Sequence, residues 1–199
     1  MTIATLRIEV AIFIVALVIS VIYASCFEWL LHRYLMHRPF LNFRYAFNAH
    51  ARVHHRTFKS DDTYHVKKKE DEHLIHMAWW NGPVLVTIGL IPFAILCIFI
   101  GHWISILCGI GLGCAGYYGA YESLHWCMHK PVLKQRLIEH SWLFRRINGH
   151  HLLHHRYMHK NYNVVLPLWD LIFGTLMTRS PVAFAQARGT SVPDVQPLS

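Results

Sequence analysis

The chain has 199 residues, 54% of them hydrophobic and 15% charged, with a formal net charge of +8 and 17 histidines. Apolar content this high excludes a disordered chain, and five cysteines without a C-x-x-C pair exclude a disulfide scaffold. Nucleic acid is a poor partner for the basic charge, because the apolar residues are gathered in long uncharged runs.

Residues 10–27 and 83–100 carry no charge, and residues 102–121 carry only His102 at their mouth. About 20 apolar residues cross a hydrocarbon core of ~30 Å, so these runs read as membrane-spanning helices. Trp79, Trp80 and Trp103 at their starts suit an interfacial aromatic belt. Nine Lys or Arg fall in residues 32–76 and nine in 122–199, and none lies between the second and third spans. The positive-inside rule then predicts an external amino terminus and two cytoplasmic basic regions. Every histidine except His102 lies on that one side.

Residues 41–59 read as a mixed apolar and basic helix, 61–73 as a solvated loop, and 132–148 as a helix in the membrane interface. Gly111-x-Gly113-x-x-Gly116 matches a dinucleotide fingerprint by letters only, since no strand precedes it. Gly109-x3-Gly113 and Ala115-x3-Gly119 read better as small faces for close helix packing. The expectation is an all-α integral membrane protein of three or four hydrophobic helices with a cytoplasmic helical cap. Residues 1–179 form a single domain, and 180–199 a loose tail.

Ten histidines fall into four groups: His32-x4-His37, His50-x3-His54-His55, His125-x3-His129 and His151-x2-His154-His155. Spacings of three and four place side chains on one helical face. His32 and His37 stand five apart and need a helix end or a local distortion to converge. His150-x3-His154 would align as well as His151 does. His65, His73, His76, His102, His140 and His159 read as bystanders.

The two halves of the chain run in parallel. Glu28, His32, His37, Arg38 and Pro39 precede the first three-histidine group; Glu122, His125, His129, Lys130 and Pro131 precede the second. The pattern predicts a repeated site with five imidazoles from each half. Glu28 and Glu122 stand four and three residues before a histidine, so each is a candidate either to accept that ring's second N–H or simply to reach the membrane interface. Ten imidazoles shared by two metals give five each and leave a sixth position open. That arithmetic fits a dinuclear iron centre that activates dioxygen, with zinc a substitute in purified protein. No H-E-x-x-H is present for a zinc protease.

These boxes, with Asn161-Tyr162-Asn163 and Trp169-Asp170-Leu171-Ile172-Phe173-Gly174-Thr175, resemble the fatty acid hydroxylase/sterol desaturase superfamily of membrane di-iron enzymes. Asn163 replaces that family's usual glycine, and Leu171 its usual arginine. The resemblance implies an oxidoreductase that hydroxylates or desaturates a lipid such as a fatty acyl chain or sterol. Its cofactors would be two iron ions, with O2 as co-substrate. No haem, flavin or iron–sulfur motif accompanies the boxes, so electrons would come from a separate reductase, ferredoxin or cytochrome b5-type carrier. Two alternatives stand beside this reading: a carotenoid hydroxylase, and a non-enzymatic His-rich membrane protein that binds or transports metal.

Overall fold

The computed structural model describes residues 2–130 and 141–179. The expected tail, His140 and most of the expected interfacial helix lie outside those residues. Three helices are long and apolar enough to cross a membrane: α1 (Ile3–Leu31), α4 (Asn81–Ile100) and α5 (Trp103–His129). Among the described residues the rest is short helices, turns and one isolated bridge between Phe40 and Phe43. The cap contains α2 (Tyr45–Phe47), α3 (His55–Thr57), α6 (Trp142–Arg156) and α7 (Leu168–Ile172). Ser141 starts α6 by accepting the Phe144 N–H at 3.0 Å, a side-chain cap of the usual kind.

Both α1 and α4 pack on α5, while α1 and α4 scarcely touch each other. The α1–α5 seam uses the first pair of small residues read from the sequence. A Cβ on Gly109 would stand 2.7 Å from the Phe13 carbonyl oxygen, and one on Gly113 only 1.6 Å from Ser20 Oγ. Close approach of this kind drives helix association where lipid removes the hydrophobic force. The second pair does not pack: Ala115 is exposed, and nothing lies within 4 Å of a Cβ on Gly119. Gly113→Leu should therefore separate α1 from α5 and leave no folded protein at the detergent-extraction stage. Gly119→Leu should leave extraction yield and thermal midpoint within a few degrees of the parent.

Helix length sets where the cap begins. The hairpin between α4 and α5 turns at Gly101 and His102, both in left-handed backbone, and Glu9 bonds His102 Nδ1 at 2.8 Å. From Glu9 to Trp29 is twenty residues of α1, about 30 Å at 1.5 Å per residue, which matches the hydrocarbon thickness. The ends of α1 and α5 that carry histidines therefore stand just beyond the apolar layer. The expected helix over 41–59 is broken into α2, a π segment and α3, for a reason given below. The expected loop over 61–73 ends in a 3-10 turn (Lys69–Leu74) and buries Tyr64.

Candidate metal centre

Two groups of five imidazoles form at the cap. One holds His32, His37, His50, His55 and His154; the other holds His54, His125, His129, His151 and His155. Within each group one nitrogen per ring lies within 4.8 Å of all the others. Together the groups contain the ten histidines of the four boxes. His150 lies outside both, and the Asn161 side chain binds its carbonyl at 3.0 Å.

Backbone hydrogen bonding explains how five-residue spacings converge. After Leu31 the chain passes into a π segment (His32–Met36), in which the His37 N–H donates to the His32 carbonyl at 3.1 Å. A second π segment (Asn48–His54) carries the His55 N–H to the His50 carbonyl. A bond closed five residues apart stacks residues five apart, so His32 meets His37, and His50 meets His55. The second half keeps ordinary α geometry, and its pairs, His125–His129 and His151–His155, stand four apart.

Consecutive histidines supply the exchange between groups. Neighbours in a helix point about 100° apart, so His54 and His55 cannot face one centre together, nor can His154 and His155. His54 crosses to the second-half group, and His154 to the first. Each half still supplies five imidazoles, but each group takes four from one half and one from the other.

The ring nitrogens fit a cation. The Nδ1 atoms of His54, His125, His129 and His154 stand 2.7–3.0 Å from the carbonyls of Leu74, Ile75, Tyr64 and Lys160. His155 Nδ1 meets the Phe58 carbonyl at 2.5 Å, and His32 Nδ1 meets that of Tyr162. A carbonyl only accepts, so each of these rings carries its proton on Nδ1 and turns a bare Nε2 lone pair inward. The inward Nε2 atoms lie 2.8–3.1 Å apart, and those of His54 and His125, though buried, have no hydrogen-bond partner. A bond of about 2.1 Å places ligands about 3.0 Å apart at right angles and about 3.4 Å apart at tetrahedral angles. The spacing matches the right-angled arrangement. Burial, reinforced by neighbouring rings, holds His50, His55, His151 and His155 well below the usual imidazole range, and burial takes His54 and His154 to about 4. These rings are uncharged near neutral pH, the form that ligates metal.

The expectation for the two glutamates needs correcting. Glu28 accepts from Tyr117 Oη (2.6 Å), Asn163 Nδ2 (3.0 Å) and the Val164 N–H (2.7 Å). Glu122 binds His76 Nδ1 at 2.7 Å and the Met77 N–H at 3.4 Å. Backbone carbonyls take the places beside six of the ten rings, and the carboxylates clamp the segments that carry two of those carbonyls. Glu28 fixes the segment next to Tyr162, whose carbonyl holds His32. Glu122 fixes the segment next to Ile75, whose carbonyl holds His125.

Sequence reasoning found Asp170, Asn161 and Asn163 only through resemblance. Asp170 is fully buried and accepts from the Tyr162 N–H (2.9 Å), the Asn163 N–H (2.7 Å) and Thr175 Oγ1 (2.6 Å). Asn161 adopts a φ of 54°, a left-handed conformation that asparagine tolerates. Asn163, in place of glycine, also donates to the Ser25 carbonyl and ties this segment to α1. Leu171 is exposed.

Two apolar cavities lead from the histidines into the membrane layer. The larger, outer one opens where α1 and α4 diverge and reaches His50, His54 and His125. The smaller, inner one runs between α1, α4 and α5 and reaches His32. They share Phe27, Leu31, Met36, Met77, Leu85 and Tyr121 in their walls.

The family profile for fatty acid hydroxylase matches residues 17–175. No curated protein and no solved structure matches the chain.

Proposed function

Because the chain belongs to the fatty acid hydroxylase family, we propose that it is a membrane oxidoreductase that uses dioxygen to hydroxylate or desaturate a lipid at a dinuclear iron centre. The observation that carries this reading is the pair of five-imidazole groups opening onto an apolar cavity at the membrane boundary. His32, His37, His50, His55 and His154 would hold one ion, and His54, His125, His129, His151 and His155 the other. Two bound irons would supply dioxygen activation and an oxidant strong enough for an unactivated C–H bond. Hydroxylation consumes the C–H substrate, O2, two electrons and two protons, and yields an alcohol and water. Desaturation takes the same inputs and yields an alkene and two waters.

The residues of this chain orient and exclude. Backbone carbonyls fix the tautomers of His32, His54, His125, His129, His154 and His155, so those six rings present a bare Nε2 without reorganisation. Phe27, Leu31, Met36 and Leu85 admit a hydrocarbon from the bilayer without passage through water. That apolar lining favours lipid oxidation over metal transport, which needs polar groups along its path. The basic cap faces the cytoplasm in this reading, the amino terminus lies outside, and a separate carrier delivers electrons. Its basic charge would steer an acidic carrier.

Anaerobically purified protein should hold two irons per chain. Expression in a host membrane should add an oxygenated or unsaturated lipid to the extract, resolved by untargeted mass spectrometry. Full activity with one metal would overturn the dinuclear centre. Metal-loaded protein that leaves every lipid unchanged, despite a supply of electrons, would overturn the reaction.

A further inference from the structure

The inner cavity has a floor. Starting at His32, it descends α1 past Glu28, Phe27 and Ala24 and ends at Tyr23, with Gly89 and Cys114 facing from α4 and α5. Behind the floor, Phe93 of α4 meets the Tyr23 ring edge-on, with centroids 5.0 Å apart. This contact closes the gap between α1 and α4, which is open nearer the histidines. Gly89 leaves room in the floor: a Cβ there would stand 3.7 Å from Tyr23 Cε1 and 3.8 Å from Cys114 Sγ.

The other end of the path is different. Where the outer cavity meets the cap it is edged by His76, Tyr45, Asn81 and Trp80, a mixed aromatic and polar rim. A lipid lying along both cavities would therefore keep its polar end at this rim and its hydrocarbon end in the inner cavity. The imidazoles flank the middle of that path.

From these placements we infer that Tyr23, backed by Phe93 and spaced by Gly89, is a stop that measures the substrate from its hydrocarbon end. The substrate class is a lipid with an extended, flexible chain. The oxidised carbon is set by how much chain fits between the imidazoles and Tyr23. From His32 to Tyr23 is nine residues of helix, about 13 Å, or about ten chain carbons at roughly 1.3 Å each. The inference rests on the proposed lipid oxidation and adds the selection rule to it.

The test uses full-length protein in bilayer discs, with electrons supplied, and a series of straight-chain lipids graded by two carbons. Product position is read by mass spectrometry. The parent should oxidise carbons at a constant distance from the chain terminus, about ten carbons, whatever the headgroup distance. Tyr23→Ala should lengthen that distance by about three carbons, and Gly89→Leu should shorten it similarly. Each carbon forced out of the inner cavity should lower turnover about fourfold. Iron content and thermal midpoint, measured on each variant, separate a moved floor from a failed fold. If Tyr23→Ala does not fold, Gly89→Leu still decides the matter by its opposite shift. Products counted from the headgroup in the parent, or unchanged in folded variants, would overturn the stop while leaving lipid oxidation intact. Absence of any product from the loaded parent would instead count against the reaction itself.

Discussion

Pairs of histidine substitutions should separate the two groups in a way that reading the chain by halves does not. His54→Ala with His129→Ala removes two rings from one group and none from the other, so about one metal per chain should remain. His54→Ala with His32→Ala, both in the first half, removes one ring from each group. Both sites should then weaken together, and metal content should fall well below one after dialysis against a moderate chelator. The reason is the crossing of His54 and His154, whose neighbours His55 and His155 point to the opposite groups. Inductively coupled plasma mass spectrometry of the parent and the two doubles decides it. Equal loss in both doubles would mean that the groups do not bind independently. Retention of one metal in His54→Ala/His32→Ala would restore the assignment by halves.

Asp170→Ala should be the most damaging substitution in the cap outside the histidines. Asp170 accepts two backbone N–H groups and the Thr175 hydroxyl, all buried, and Thr175 Oγ1 in turn accepts the Trp29 indole N–H at 3.0 Å. Each buried donor left unpaired costs about 1–3 kcal/mol, so losing the acceptor of three costs on the order of 3–9 kcal/mol. The damage is directed as well as large, because the released segment carries the Tyr162 carbonyl that holds His32. Thermal midpoint and metal content should fall together, with the His32 group emptied before the other. Asp170→Asn keeps the shape but presents an N–H toward donors, and should fall between the two. A stable Asp170→Ala protein with full metal would show that the segment is held by other contacts.

Much of this architecture is legible in the chain itself. The three spans follow from length and absence of charge, because lipid punishes any other arrangement. Histidines at spacings of three and four announce shared helical faces. The π segments are not legible, since a five-residue spacing in an α-helix would splay His32 from His37. Only the closed structure exchanges the i+4 bond for i+5. Nor does the sequence disclose the acceptors of the ring N–H groups, for these are backbone carbonyls of Leu74, Ile75, Tyr64 and Lys160, whose side chains carry no signal. The partners of Glu28 were hidden by distance: Asn163 and Val164 lie more than 130 residues along the chain. Helical periodicity sees His32, which is nearer in sequence, and so points the carboxylate at the wrong group.

The crossing of His154 into the first group also fixes a timetable. His55 and His154, whose Nε2 atoms lie 3.1 Å apart, are separated by 99 positions in the chain. A ribosome adding roughly 5–20 residues per second reaches His154 about 5–20 seconds after His55. Until α6 arrives, His32, His37, His50 and His55 are four rings without their fifth, and His54 has only His125 and His129 of its group. Neither centre can be completed on the nascent amino-terminal half. Both five-ring groups therefore close only once α6 has arrived, and a chain ending before that helix keeps its three spans with each group short of ligands.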